Sequence, residues 1–513
     1  MSRISFHFLL YLECKFGQAS RVIWLWTSIL IFIVSLAFSV ISLPKELFWN
    51  TEALYLPTIL LDVLRDSSPL RGWSFAPTPY FFPDLPAIFL LGYATGDIFL
   101  TLVAYAILQV IVLALVMGRF IRTLEPKMGK SQSYTLSFLS LSFLFILSEK
   151  FSLLYFLYLP SVHISAFITT LWIWPYLRKE KVPKNSVFPI LSLITLSDRI
   201  LVFELYFAAA LTWARRYGRW GISFPMISLK FFFAGAIGIA LNMVLRVLLT
   251  IQSPNKIPIA DSILMWWKDL VSSLIRLDLP GIFLVLSFIT AFWCLKKSKE
   301  WGHSLGFIGY FQLILLLLPP LTGIYTGENG LKISLPAFVM VPALFGVLLS
   351  LQNPVERSNS RNFAILGLLI GLGIFTGYRR QMEGNWAPIS FSRPDEVTCV
   401  DHWKEKDSFV LVLAEARKAK RIFIYSETKT LAYPIDFSTL EGTHTLSNKE
   451  WFLFPPEGPI AVLPDGLGEH RIKSFYGEPT RILDCPNGIS KILVYENTEK
   501  IIELLQRPFQ KTK

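Results

Sequence analysis

DIFLTLVAYAILQVIVLALVMGRF, Asp97 to Phe120, carries no charged side chain between Asp97 and Arg119. A hydrocarbon core of about 30 Å is crossed by roughly 20 apolar residues in a helix, so this stretch reads as a membrane span. Similar runs recur at Val22–Leu43, Gln132–Leu147, Val162–Leu177, Leu229–Ile251, Pro280–Leu295, Ser304–Leu321, Ala337–Leu351 and Phe363–Tyr378. Hydrophobic residues make up 53% of the 513 and charged residues only 17%, against about 25% charged in soluble proteins. The runs are continuous and do not alternate with period two, which excludes an outer-membrane barrel. Composition likewise excludes a disordered, collagenous, coiled-coil or disulfide-rich secreted chain. The fold class is an α-helical polytopic membrane protein.

One stretch, Val187–Ala214, is about 28 residues long, too long for one straight span and too short for two full ones. Ser197-Asp198-Arg199 sits in its middle. Two shortened helices meeting at a break explain both the length and the charges, since non-helical backbone at depth is tolerated where protein or water lines it. Counting two helices there gives about 11 spans. The 49 Lys and Arg exceed the 37 Asp and Glu, for a net charge of +12. Five basic loops, beginning with Arg119/Arg122/Lys127/Lys130 and ending with Arg357/Arg361, fall on one side. The positive-inside rule makes that side the cytoplasm. The first run, Val22–Leu43, is too long for a signal peptide and lacks a small-residue cleavage site; Arg3, Lys15 and Arg21 precede it, so the N-terminus is expected inside as well. The charge therefore needs no nucleic acid to explain it.

The loop 44–96 is then expected outside, as is everything after Tyr378. Past that point charged residues return and short β-rich segments appear at Arg421–Ser426, Ile460–Pro464 and Ile489–Tyr495. Helical patterns lie at Asp407–Lys420 and Thr498–Gln506. The expected organisation is a multispan domain over 1–378 and a small extracytoplasmic α/β domain over 379–513. Cys399 and Cys485 lie in that domain, either as a disulfide formed in an oxidising compartment or as two buried thiols. No CxxC pair or other metal-ligand spacing occurs, and no phosphate-binding glycine loop.

Charges beside or inside the hydrocarbon mark the candidate chemistry, because such residues are expensive to bury and usually face a cavity. Asp198 and Arg199 are the clearest case; the structural alternative is a cap for two half-helices. Glu52, Asp62, Asp66 and Asp84 lie in the first outer loop. A carboxylate near a membrane exit is placed to deprotonate an acceptor hydroxyl, or merely to solvate a juxtamembrane helix. Asp84 follows Pro83 and also reads as a helix N-cap. The rings from Trp73 to Phe82 fit an interfacial belt or a shelf for a lipid tail or sugar. His163 begins a span, and Lys332 precedes one, where it either snorkels or binds phosphate.

These residues carry a resemblance. Tyr80-Phe81-Phe82-Pro83-Asp84, Pro160-Ser161-Val162-His163, Leu196-Ser197-Asp198-Arg199 and Gly477-Glu478-Pro479 are similar to motifs of uncharacterised bacterial members of the GT-C superfamily of integral membrane glycosyltransferases. The N-in multispan design with an acidic first outer loop and a C-terminal outer domain resembles protein O-mannosyltransferases and lipid A aminoarabinose transferases. The resemblance implies inverting transfer of a sugar from a polyprenyl-phosphate donor to a glycan, lipid or protein acceptor at the outer face of the cytoplasmic membrane. It implies an acidic catalytic residue in the first outer loop, so Glu52, with Asp62 and Asp84 in reserve, is the expected base. Arg199 and Lys332 are expected on the donor phosphate, with His163 and Asp198 in support. Family members often carry adjacent acids where this chain has Asn50-Thr51-Glu52, and Arg-Tyr where it has Lys332-Ile333. The competing readings are a non-catalytic membrane scaffold of the same fold and a transporter, although no second interrupted segment matches Val187–Ala214.

Overall fold

A computed structural model describes residues 22–40, 45–148, 151–178, 185, 187–217, 226–352, 393–464, 468–486 and 491–510. The membrane region runs α1 (Val22–Val40), α2 (Lys45–Phe48), α3 (Thr51–Leu64), α4 (Asp84–Thr95), α5 (Ile98–Leu124), α6 (Lys130–Leu147), α7 (Ile164–Arg178), α8 (Val187–Ser197), α9 (Ala208–Tyr217), α10 (Met226–Leu248), α11 (Ile259–Arg276), α12 (Leu279–Trp301), α13 (His303–Leu321) and α14 (Leu335–Gln352). Among the described residues six helices are long and apolar enough to cross a membrane: α1, α5, α10, α12, α13, and α14 with the turn before it. Helices α4, α7 and α8 are shorter but apolar. The expected span Phe363–Tyr378 and the expected domain boundary lie outside the described residues.

Local chemistry sets the helix ends. Asp97 caps α5 by accepting from the Leu100 amide at 2.8 Å, and Asp278 caps α12 through the Gly281 amide at 3.0 Å. Gly302, at φ 111°, turns α12 directly back into α13. The chain breaks where the charges interrupt Val187–Ala214. Helix α8 ends at Ser197, Asp198 and Arg199 are non-helical, and a π-helical turn at Val202–Phe207 leads into α9. Asp198 Oδ1 accepts from the Ile200 amide at 3.1 Å, which supplies a partner to backbone that the break would otherwise leave bare.

The C-terminal region is a five-stranded sheet of order β4-β3-β5-β7-β6, with β3 (Leu411–Ala414), β4 (Leu431–Pro434), β5 (Ile460–Val462), β6 (Arg481–Asp484) and β7 (Lys491–Tyr495). β3 pairs in parallel with β4 and β5, while β7 runs antiparallel to β5 and β6. Its helices are α15 (Asp395–Lys404), α16 (Ala416–Tyr425), α17 (Glu450–Leu453), α18 (Glu469–Tyr476) and α19 (Glu499–Gln510). The expected strand Arg421–Ser426 is the end of α16, and the expected helix Asp407–Lys420 contains β3. The helix formers Glu415-Ala416-Arg417-Lys418-Ala419 follow β3 with no glycine or proline between, so the helical pattern extends back over the strand in sequence. Cys399 and Cys485 form a disulfide with Cα atoms 5.2 Å apart.

The first loop does not lie against lipid as an aromatic belt would. Trp73 and Phe75 are fully buried, and the short strand β1 (Ser74–Phe75) pairs in parallel with β2 (Thr250–Ile251) just past α10. Helix α16 docks on α3: Tyr425 donates to the Phe48 carbonyl at 3.0 Å, Arg421 to the Trp49 carbonyl at 3.0 Å, and Arg65 to the Phe423 carbonyl at 3.2 Å. Lys420 on α16 is buried, and its ammonium has no hydrogen-bond partner among the described residues. Burial lowers its pKa from 10.5 to about 7, because the charged form loses its hydration. The folded chain therefore binds fewer protons than the unfolded chain between about pH 7 and 10.5, and stability rises across that window. Lys420→Met should raise the melting temperature at pH 7 and flatten the rise from pH 7 to 10, measured by thermal unfolding in detergent. An unchanged pH profile would show that Lys420 is solvated.

Candidate active site

The acidic residues of the first loop separate into three environments. Glu52 occupies the first turn of α3, where Asn50 caps the helix by accepting from the Glu52 amide at 3.3 Å. Its carboxylate remains 43% exposed and takes the Lys332 ammonium on both oxygens at 2.8 Å. Lys332 sits in the 3-10 turn Glu328–Ser334 that opens α14, with its ammonium 4.3 Å from the centre of the Phe156 ring. The sequence places these two residues 280 positions apart. The fold joins them.

Asp62 is fully buried and accepts three side-chain hydrogen bonds. The Trp73 and Trp451 indoles donate at 2.6 Å each and the Asn448 amide at 2.9 Å. Buried and held by three donors, it is fixed in place, so its evident work is structural. Asp66 follows the end of α3, is exposed, and pairs with Arg65, so it does not share a helical face with Asp62. Asp84 does not cap α4 with its side chain. Its carboxyl turns inward and accepts from Tyr105 on α5 and, at 3.3 Å, from Ser165 on α7.

His163 and Asp198 form a pair. His163 Nδ1 lies 2.8 Å from Asp198 Oδ2 and 2.9 Å from Oδ1, and its Nε2 lies 3.5 Å from the Tyr80 hydroxyl. Tyr80, Ser161 and His163 all hold positive φ, at 54°, 68° and 61°. Left-handed backbone costs a non-glycine residue about 1–3 kcal/mol, and three such residues gather around this dyad. The loop is held there by Ser197, whose carbonyl accepts from the Tyr80 amide and whose hydroxyl accepts from the Phe82 amide at 2.8 Å. Burial pushes the Tyr80 phenol well above its ordinary pKa, and the charges of Asp198, Glu52 and Asp84 push it further. At neutral pH it is a proton donor. Glu52, Asp84 and Asp198 also act electrostatically on His163, and of these Asp198 is the one in direct contact with it.

Arg199 follows Asp198 at the break. It is exposed and has no hydrogen-bond or ion-pair partner among the described residues. Its charge acts on Arg246 of α10, which donates to Asn242 at 3.1 Å and to the Pro77 carbonyl at 3.0 Å. Asn242 in turn donates to the Leu196 carbonyl at 2.7 Å, next to the break. Lys332 and Arg199, expected together on one phosphate, are thus committed differently: one to Glu52, the other beside a second arginine. Sequence reasoning missed Arg246, Tyr105, Ser165 and the buried Glu204, whose Oε1 has no hydrogen-bond partner among the described residues. Glu204 follows Asp198 within the same apolar stretch, and Arg246 is a charge near the end of a span; both were legible by the cost of burying charge. Among the described residues no group of three or more His, Cys, Asp and Glu side chains is disposed to hold a metal ion.

Compared with protein-family models and with curated proteins, the chain matches none.

The separation of roles among the acids is testable. Asp62→Ala leaves three buried donors without an acceptor, each costing about 1–3 kcal/mol. It should lower the melting temperature sharply and loosen the contact between the first loop and the C-terminal region, read by limited proteolysis. A variant that melts like the parent would contradict the structural assignment.

Proposed function

We propose that this chain is a polytopic membrane glycosyltransferase that moves a sugar from a polyprenyl-phosphate-linked donor to an acceptor hydroxyl. In this reading it spans the cytoplasmic membrane about 11 times with its N-terminus inside. The site and the C-terminal region face the extracytoplasmic side. The observation that carries it is the helix break itself, where the His163–Asp198 pair is held and the exposed Arg199 acts electrostatically on Arg246 of α10. The Glu52–Lys332 pair adds a carboxylate and a further cation at the start of α3. Adjacent like charges are unfavourable unless an anion joins them, and a lipid phosphate at headgroup depth is such an anion.

The chemistry follows from the charges. The acceptor oxygen attacks the anomeric carbon and its proton passes to Glu52. The bond from that carbon to the phosphate oxygen breaks, and the electron pair leaves on the polyprenyl phosphate. Guanidinium groups stabilise that leaving charge better in a poorly hydrated site than in water. Lys332 holds the Glu52 carboxylate in place, and a donor phosphate that draws Lys332 away frees the carboxylate to act as base. His163, held by Asp198 and Tyr80, orients the loop that forms the floor of the site.

One observation favours a second reading, a scaffold of the same fold without activity: the Lys332 ammonium already satisfies both oxygens of Glu52. The two readings part at Glu52→Gln. Removing a general base costs about 10²–10⁴ in rate. Transfer from a labelled polyprenyl-phosphate sugar by purified protein should fall by about that factor while the melting temperature changes little. Equal transfer by parent and variant would remove Glu52 from the mechanism, and no transfer by the parent with any polyprenyl-phosphate sugar would favour the scaffold.

A further inference from the structure

Helix α11 presents three distinct faces. Its 18 residues would extend about 27 Å at the α-helical rise. Both of its ends lie at the end of the bundle that carries the site. On the N-terminal side, β2 pairs with the first loop, and the Ile257 amide donates to the Gly323 carbonyl at 2.9 Å. On the C-terminal side α12 begins at Leu279 and runs antiparallel to α13, whose far end leads into the Lys332 turn. Helix α11 therefore does not cross the bilayer.

At 100° per residue the first face comprises Ser262, Trp266, Asp269, Leu270 and Ser273. These are the residues of α11 that are not exposed, and they pack on the protein. Tyr325 donates to Asp269 at 2.8 Å and Ser262 to the Tyr325 carbonyl at 3.2 Å. The second face, about 120° wide, is Ile263, Leu264, Trp267, Val271, Leu274 and Ile275. All six are exposed, Ile275 at 78% and Trp267 at 56%. The third face is mainly polar, with Asp261, Lys268, Ser272 and Arg276. Trp267, Val271 and Ile275 share a shallow hollow of about 370 Å³ with Lys268, Ser272 and Arg276, at the border between the second and third faces.

We infer that α11 lies in the plane of the membrane interface on the site side, with its second face sunk among lipid chains and its third face in water. An amphipathic helix of this pattern buries its apolar face about 5–10 Å into the boundary between headgroups and chains. The occupant is phospholipid because the exposed apolar face is continuous with lipid-facing surface at both ends. Val247 and Leu248, 86% and 64% exposed, close α10, and Leu277, 74% exposed, precedes α12. Lys268 and Arg276 stand at the border, where long basic side chains reach phosphate while their stems cover apolar surface. The inference does not depend on glycosyl transfer.

The test uses the full chain in vesicles of phosphatidylcholine and phosphatidylglycerol. Leu264→Cys, Ile275→Cys and Ser272→Cys are spin-labelled one at a time. The labelling background carries Cys14→Ser, while Cys294 is buried and Cys399 is bonded to Cys485. Labels at Leu264 and Ile275 should collide several-fold more with dissolved oxygen than with a water-soluble nickel chelate, and the label at Ser272 should show the reverse. Nickel-dominated collisions at Leu264 and Ile275 would place that face in water, and silence to both reagents would place it against protein. Oxygen-dominated collisions at all three would mean immersion. Each of these results overturns the interfacial placement.

Discussion

A single buried carboxylate holds together the parts that make the site. Asp62 lies at the end of α3, Trp73 in the first loop, and Asn448 and Trp451 in the C-terminal region, and all three partners donate to it. A buried charge is tolerated only when its hydrogen-bonding capacity is met, so these donors have little freedom to leave. The aromatic rings stack around the same point: Trp73 meets Trp451 edge-on, and Tyr433 lies flat against Trp451. With α3 fixed in this way, Glu52 at its start has a defined position above the bundle. The first loop, anchored at Trp73, then runs through β1 to deliver Tyr80 and Asp84 to the helices below.

The second constraint is the break between α8 and α9. Membrane-embedded backbone must find its own hydrogen bonds, and Asp198 answers that requirement with one oxygen on the Ile200 amide while the carboxylate also holds His163. Capping and site-building are the same act here, so the structural and functional explanations of Asp198 do not compete. The break also leaves Arg199 exposed, within electrostatic reach of Arg246. Close approach of α10 to α8 makes this possible. At Gly238 a Cβ would come within 2.6 Å of the Ser192 carbonyl oxygen, so any larger residue there would push α10 and its arginine away from the break.

The helical membrane fold was legible because a span announces itself by length and lack of charge, and the broken stretch Val187–Ala214 announced itself by failing that rule. Glu52, His163, Asp198 and Lys332 were legible as charges that a bilayer edge does not hold idly. Their pairing was not, because Glu52–Lys332 and His163–Asp198 depend on which helices pack together, and the charges of a sequence do not carry that information. Asp62 looked like Glu52 in sequence: both are acids on one short helix. Only the indoles of Trp73 and Trp451 distinguish them, and Trp451 arrives from the far end of the chain. In the C-terminal region β5 and β7 were legible as isolated β-rich runs, whereas β3 vanished into the helical pattern of α16 beside it.

The account turns on Arg199 and Arg246 holding a lipid-borne phosphate. Native mass spectrometry of the purified chain with polyprenyl phosphate and with the corresponding uncharged polyprenol measures this directly. The phosphate should bind the parent and not the Arg199→Ala, Arg246→Ala double variant, with the polyprenol bound weakly and equally by both. Equal retention of phosphate and polyprenol by the parent, or undiminished phosphate binding by the double variant, would contradict it.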